Sequence, residues 1–277
     1  MTDYMGKTIV AGPWVGEFGW ELFAWQGYLR AIKKQHNLKI VIICKPGSEQ
    51  LYEDFAEEII AYDPPDTGLS DSFFKQGLFL DRQLLFTILG KRKNKFSWLP
   101  PRRIGTPPYT NWNDNVEVGP FQVTPEYISY KAEMGKGKRH DIIIHARNRK
   151  LREQDNWSLA NWKTLIGLLE NDFSIACVGS TTESLALPGT TDFRGCSLKE
   201  TCQLLSDARI AIGPSSGPMH LASLCECPHL VWGSREMSQY RYENTWNPLN
   251  TKVEFLDKYG WHPPPEFIYE KVLESVI

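Results

Sequence analysis

The sequence predicts an α/β fold built from two Rossmann-like domains that face a cleft. Three observations lead there. The chain has 277 residues, roughly two domains at about 150 residues each. Short continuous apolar runs recur, at Leu38–Cys44 (LKIVIIC), Asp141–His145 (DIIIH) and Phe173–Val178 (FSIACV). A strand with one wet face would alternate, so such runs read as parallel strands covered on both faces. Several of them end in glycine- and serine-bearing loops that open a helix, and strand alternating with helix is the mark of the α/β class.

In order, Thr8–Ala11 is a first strand and Gly12–Gly19 (GPWVGEFG) a loop. Trp20–Gln35 is a helix, because Leu22, Trp25, Leu29 and Ile32 recur at spacings of three and four. Leu38–Cys44 is a strand, Pro46-Gly47-Ser48 opens a helix through Phe55, and Glu58–Tyr62 is a third strand. Phe79–Leu89 is helical. Lys91–Lys95 (KRKNK) is a basic run that reads as a solvated loop. Ser97–Asn115 carries Pro100, Pro101, Pro107 and Pro108 with Trp98, Tyr109 and Trp112, and is expected to be a loop packed by its own aromatics. Gly135–His140 is polar and glycine-bearing, which places the domain boundary there: residues 1–135, then 136–277. In the second half, Asp141–His145 is a strand, Leu159–Leu169 an amphipathic helix and Phe173–Val178 a strand. Ser197 with Glu200 forms a capping-box pattern for a helix to Ser206. Ala208–Ile212 is a strand, Pro218–Leu224 a helix, Pro228–Trp232 a strand, and Glu266–Val276 a final helix.

Composition narrows the function classes. Apolar residues make up 42% and charged residues 23% of the chain, an ordinary globular balance that excludes a disordered or collagen-like chain. Lysine and arginine total 31 against 33 acids, for a net charge of −2. No global field for nucleic acid or anionic membrane results, although a local basic patch such as Lys91–Lys95 with Arg102 and Arg103 keeps nucleic acid open as a partner. Met1–Lys7 is polar, so no secretory signal is expected, and no run approaches the roughly 18–20 apolar residues of a membrane span. The six cysteines are scattered and read as free thiols in a reducing, cytoplasmic setting. Ten tryptophans, eleven tyrosines and thirteen phenylalanines suit thick cores or a site with stacking walls.

The sharpest chemical signal is Ile212-Gly-Pro-Ser-Ser-Gly-Pro-Met-His-Leu-Ala222. A strand ends, a small-residue loop follows, and a helix starts with Pro218 in its first turn, where a missing N–H costs nothing. Free N–H groups and the helix dipole make such a start a cradle for phosphate. Ser215 and Ser216 add hydroxyls, Gly217 a bare backbone, and His220 lies one turn in. A plain strand-to-helix connection with serine caps fits these residues equally well.

This segment resembles the donor-site motif of the ADP-heptose:lipopolysaccharide heptosyltransferases, a serine-Gly-Pro-Met-His-Leu-Ala string followed by a proline and a strand; Ser216–Pro228 matches most of it in order. The resemblance covers the second half well and the first half weakly. It implies the GT-B glycosyltransferase fold, a nucleotide-sugar donor whose diphosphate sits on Ser215, Ser216, Gly217, Pro218 and His220, and inversion at the anomeric carbon. The string His145-Ala-Arg147 follows a buried strand and also resembles a motif of some fucosyltransferases, in which the arginine binds the diphosphate. An arginine clamps phosphate bidentately and stays charged throughout turnover; Arg149, Lys150 and Arg152 read as a solvated loop. Gly179-Ser180-Thr-Thr-Glu183 matches the family's G-x-x-x-E loop near the nucleotide, and Glu183 would accept ribose hydroxyls there.

In the first half, Gly16-Glu17 stands where the family has a glycine followed by an aspartate, its proposed general base. Glutamate replaces aspartate here. Glu21, in the first helical turn, is the rival, and an acid there is also simply a good partner for the helix dipole. Gly16 and Gly19 allow close backbone approach. No D-x-D motif stands at a strand end, so neither a metal nor another cofactor is expected. The sequence thus predicts a metal-independent glycosyltransferase with a nucleotide-sugar donor and a glycan or other hydroxyl acceptor. Two alternatives are a non-catalytic nucleotide-sugar-binding module and a phage-type enzyme that glycosylates nucleic acid.

Overall fold

The computed structural model describes residues 8–14, 16–63, 82–90, 96–101, 123–133, 139–150, 152–234 and 239–276. The basic run Lys91–Lys95, Arg102, Arg103, residues 135–138 of the expected boundary and most of the proline-rich stretch lie outside them. The chain divides into two compact units, Met1–Tyr127 and Ile128–Ile277. Residues just after the division belong with the second unit: the Tyr130 amide donates to the Leu224 carbonyl at 2.8 Å and the Ala132 amide to Ser206 Oγ at 2.9 Å.

The first unit is a parallel sheet in the order β3-β2-β1-β4. Its strands are β1 (Thr8–Ala11), β2 (Lys39–Cys44), β3 (Glu58–Ala61) and β4 (Phe96–Leu99). Strand β4 corrects the expectation of a loop from Ser97 onward. It pairs with β1 from Thr8↔Phe96 to Ala11↔Leu99, and Pro100 and Pro101 stop it rather than prevent it, since proline is excluded only where its N–H is needed. The first helical stretch starts at α1 (Phe18–Trp20), widens into a π-helical turn at Glu21–Trp25, and continues as α2 (Gln26–His36). Asn37, at φ 49°, closes α2 in the left-handed region, where asparagine is tolerated. Val10, Ile43, Leu85 and Leu89 form a small core with α3 (Arg82–Leu89). Trp14, Trp25 and Tyr28 are fully buried, and their rings stack in sequence at 5.7 and 6.4 Å.

The helix expected from Pro46 to Phe55 is only a 3₁₀ turn at Glu49–Leu51 followed by turns. Ser48 stands at its start but does not cap it. Its hydroxyl is engaged elsewhere, as described below.

The second unit is a six-stranded parallel sheet in the order β10-β9-β8-β5-β6-β7. The strands are β5 (Ile142–Ile144), β6 (Ile175–Cys177), β7 (Thr191–Asp192), β8 (Ile210–Pro214), β9 (His229–Trp232) and β10 (Val253–Leu256). Strands β7 and β10 are not among the expected strands, since two and four residues are too short for a periodic signal. The helices are α4 (Leu159–Leu169), α5 (Leu198–Asp207), α6 (Gly217–Leu224) and α7 (Pro265–Val276). Ser197 and Glu200 form the expected capping box at α5. Isoleucines of β5 and β8 bury against Trp157, Trp162 and Trp232, whose rings lie 4.6 to 5.6 Å apart. Much of the aromatic load is therefore core. All six cysteines are free thiols. Among the described residues no helix is long and apolar enough to cross a membrane.

Candidate active site

All strands of the second sheet run parallel, so the loops after β5, β6, β8 and β9 emerge along one edge, the edge at which such sheets bind ligands. The loop after β6 folds back on the loop after β5. The Leu185 amide donates to the Ala146 carbonyl at 2.8 Å and the Asn148 amide to the Glu183 carbonyl at 2.7 Å. Gly179 begins that loop at φ +125°. Ser180 Oγ accepts the Glu183 amide at 3.0 Å, and the Glu183 side chain is exposed.

The turn after β8 is Ser215-Ser216-Gly217. Ser216 is the N-cap residue of α6 by position, yet its side chain makes no cap hydrogen bond. Its Oγ is hydrogen-bonded to His145 Nδ1 at 2.8 Å. Its amide donates to the Tyr242 hydroxyl at 3.0 Å, and that hydroxyl donates to the Ser216 carbonyl at 3.2 Å. Tyr242 belongs to a second π-helical turn, Arg241–Thr245. Gly217 and Pro218 are half-buried.

Arg147 lies beneath this turn, and its side chain is 3% exposed. One terminal nitrogen donates to the Ser215 carbonyl at 2.9 Å and the other to the Asp155 carbonyl at 2.6 Å. The Asp155 carboxylate is 3.9 Å away and the Trp261 ring covers the guanidinium at 4.4 Å. Nε is buried with no hydrogen-bond partner. Burial and the neighbouring Arg149 lower its pKa to about 10, which leaves it charged at neutral pH. The two donor arms expected to clamp a phosphate hold backbone carbonyls instead. His220 likewise faces inward. It stacks on Tyr242 with centroids 4.1 Å apart and meets Trp246 edge-on at 4.8 Å. Burial holds its pKa well below the usual imidazole value. His145 is buried too, with its pKa lowered to about 3 by desolvation and then by Arg147 and Arg149.

In the first unit the two acids differ sharply. Glu17 is half-buried at the start of α1, where its carbonyl accepts the Glu21 amide at 3.1 Å. Gly16, just before it, is buried, and its carbonyl accepts Lys45 Nζ at 2.9 Å. Gly19 is buried inside α1. Glu21 is 1% exposed, and both its oxygens are taken, by Tyr52 Oη at 2.8 Å and Ser48 Oγ at 3.0 Å. Burial raises its pKa to about 7 against the pull of those two hydrogen bonds and of Lys45. Among the described residues no cluster of three or more His, Cys, Asp or Glu could hold a metal ion.

Sequence reasoning passed over Tyr242, Asp155 and Trp261, which join the turn from distant segments with no local signal. His145 had one, the His-x-Arg string, but only its arginine was singled out.

The architecture is that of the GT-B glycosyltransferases, two Rossmann-like α/β units in one chain. Solved structures of this fold include the E. coli heptosyltransferase WaaC with ADP, which is similar at a TM-score of 0.61 and 10% identity over 97% of this chain and 99% of that one. The E. coli ADP-heptose lps heptosyltransferase II is similar at 0.62 and 14% identity over 98% of each chain. The dodecameric iron-containing heptosyltransferase TibC, solved with ADP-D-beta-D-heptose, is similar at 0.51 and 15% identity over 93% of this chain and 62% of that one. No family model and no curated protein sequence matches the chain.

Proposed function

We propose that this protein is a glycosyltransferase that moves a sugar from a nucleotide-sugar donor to an acceptor hydroxyl in one inverting displacement without a catalytic metal. The observation that carries the reading is the uncapped start of α6. It follows β8 at the ligand-binding edge of a parallel sheet, and its serine is turned away from the amides it would ordinarily cap. Unsatisfied amides and the positive end of the helix dipole favour an anion there. Arg147 adds a full positive charge beneath the same turn.

In the proposed reaction the donor diphosphate rests on the turn Ser215–Pro218 through the backbone amides of Gly217 and Met219, with Gly179, Ser180 and Glu183 beside the nucleoside. The acceptor oxygen gives its proton to the Glu17 carboxylate and attacks the anomeric carbon. The bond from that carbon to the diphosphate oxygen breaks, and its electron pair leaves on the nucleoside diphosphate. Charge grows on that leaving group in the transition state, where fixed amides and a guanidinium lower the barrier most. Glu17 is the better base, because it is half-buried and reachable by an acceptor, whereas Glu21 is 1% exposed.

Thermal stabilisation by ADP, UDP, GDP and their sugar conjugates, with and without EDTA, tests the donor site, since a ligand of the folded state raises Tm. One nucleotide should stabilise selectively and EDTA should not change the shift. Loss of the shift in EDTA would instead point to a metal, as the iron in TibC makes worth asking. With that donor, Glu17→Gln should lower transfer by about 100-fold or more and leave nucleotide binding intact. Unchanged turnover in Glu17→Gln would remove Glu17 as base, and no transfer by the wild type would favour a non-catalytic binding module.

A further inference from the structure

The anion-ready state of α6 is not a property of the helix alone. With Ser216 at the N-cap, the next positions are Gly217, Pro218 and Met219. A capping hydroxyl accepts from the second or third amide of the helix. Pro218 has no amide, so Met219 N–H is the one cap donor that Ser216 Oγ can satisfy. The His220 amide is already spent on the Ser216 carbonyl at 3.1 Å. Left to itself, Ser216 would turn to Met219 and close the helix start against an anion.

Three features hold it off. His145 Nδ1 binds the hydroxyl at 2.8 Å. The imidazole is itself fixed: His145 is 6% exposed, and a Cβ at Gly179 would stand 2.7 Å from its ring, so the ring occupies space that only glycine leaves. Tyr242 and Arg147 pin the backbone on either side, through the Ser216 amide and carbonyl and the Ser215 carbonyl.

We infer that His145 is a positioning residue that keeps the α6 start open for the donor diphosphate by diverting the Ser216 hydroxyl from its cap. The inference rests on the donor-site reading above. It assigns His145 no proton transfer. The imidazole stays neutral well below neutral pH, so the diversion persists across the range in which such a reaction runs.

The test is a double-mutant cycle read by calorimetric binding of ADP, or of whichever nucleoside diphosphate the wild type prefers. His145→Leu should weaken binding about fivefold, because a serine cap now competes for the helix start and a cap is worth about 1 kcal/mol. His145→Asn, whose amide reaches the same place as Nδ1, should keep affinity. In His145→Leu/Ser216→Ala no competing cap oxygen remains, and affinity should return to within about twofold of the wild type. A His145 that merely supports the fold predicts the opposite, with the double variant no better than His145→Leu, and that result overturns the proposal. Amide hydrogen exchange at Met219 supplies a reading that needs no nucleotide. Exchange should slow in His145→Leu and recover in the double variant; unchanged exchange in His145→Leu also overturns the proposal. If the wild type binds no nucleoside diphosphate, the donor-site reading fails, while the exchange experiment still decides the role of His145.

Discussion

Each unit contains a serine that stands at a helix start and does not cap it. In the first unit Ser48 precedes the 3₁₀ turn Glu49–Leu51 and donates to the carboxylate of Glu21. In the second Ser216 precedes α6 and binds the imidazole of His145. Both partners are buried and ionisable, but burial moves them in opposite directions relative to neutral pH. Glu21 is raised to about 7 and His145 is lowered to about 3. The serine of the first unit therefore answers to a group that changes charge near neutrality. The serine of the second answers to one that does not. A diverted cap is thus a means to two ends, a titrating latch on the loop after β2 and a constant open helix start after β8.

The largest expected effect, a divergence of about 5 kcal/mol between the two units, follows from these signs. Glu21 holds its proton more tightly in the folded state, so the folded state binds more protons between the unfolded value of 4.5 and about 7. Its contribution to stability is greatest at low pH and is lost as pH rises through that window. Acidification from pH 7.5 to 5.5 should stabilise the first unit by on the order of 2 kcal/mol. His145, His220 and His229 are depressed, to about 3, well below normal, and to about 4. Their contribution is present above the unfolded value of 6.5 and falls as pH drops through it, by on the order of 1 kcal/mol each at pH 5.5. Residue-resolved hydrogen exchange at the two pH values should show β1 and β2 gaining protection while β5 and β8 lose it. Parallel changes in both sheets would break the comparison.

Next in size is a pair of alanine substitutions beside the two latches. Gly179 sits against His145 at φ +125°, and a Cβ there would meet Ser184 Oγ at 2.5 Å as well as the ring. Gly47 adjoins Ser48 at φ +90° with nothing within 4 Å. Gly179→Ala carries both backbone strain and collision and should cost about 3 kcal/mol, whereas Gly47→Ala carries the strain alone and should cost about 1 kcal/mol. Thermal or urea unfolding of each variant measures this. Equal losses would mean that the His145 ring can move aside, which would weaken its assignment as a fixed partner of Ser216.

How much of this could be read from the chain depends on sequence distance. The isoleucine runs of β2 and β5 announced strands buried on both faces, because periodicity is local. Pro218 marked the start of α6 for the same reason. The diverted serines were invisible, since Ser216 meets a residue 71 positions away and Ser48 one 27 positions away. The Pro46-Gly47-Ser48 string points to a helix start, whereas the Ser48 hydroxyl is spent on Glu21. Strand β4 was obscured by the prolines that follow it, and β7 and β10 by their shortness. In the candidate site the turn and its glycines were legible, but the commitment of Arg147 to two carbonyls and of His220 to Tyr242 was not, because both partners arrive from other loops.

A third experiment sharpens the first unit alone. Glu21→Gln keeps the shape and can still pair with both hydroxyls, which rotate to donate or accept. In the variant the hydrogen-exchange protection of β1 and β2 should stay flat from pH 5 to 8 where that of the wild type declines, and at pH 8 it should be at least as great. A decline that persists in Glu21→Gln would assign the pH dependence to another group and leave Glu21 an ordinary buried acceptor.

The smallest effect distinguishes two serine-headed helices within the second unit. At α5 the Ser197 hydroxyl accepts the Glu200 amide at 3.2 Å, while the Glu200 carboxylate accepts the Ser197 amide at 2.8 Å. That start is closed by its own side chains, as a capping box should be. The start of α6 is not. Ser197→Ala should therefore cost about 1 kcal/mol of stability and leave the affinity for a nucleoside diphosphate unchanged, read by urea unfolding and calorimetry on the same variant. An affinity change in Ser197→Ala would mean that anion binding does not depend on which helix start is open, and the distinction between Ser197 and Ser216 would lose its functional meaning.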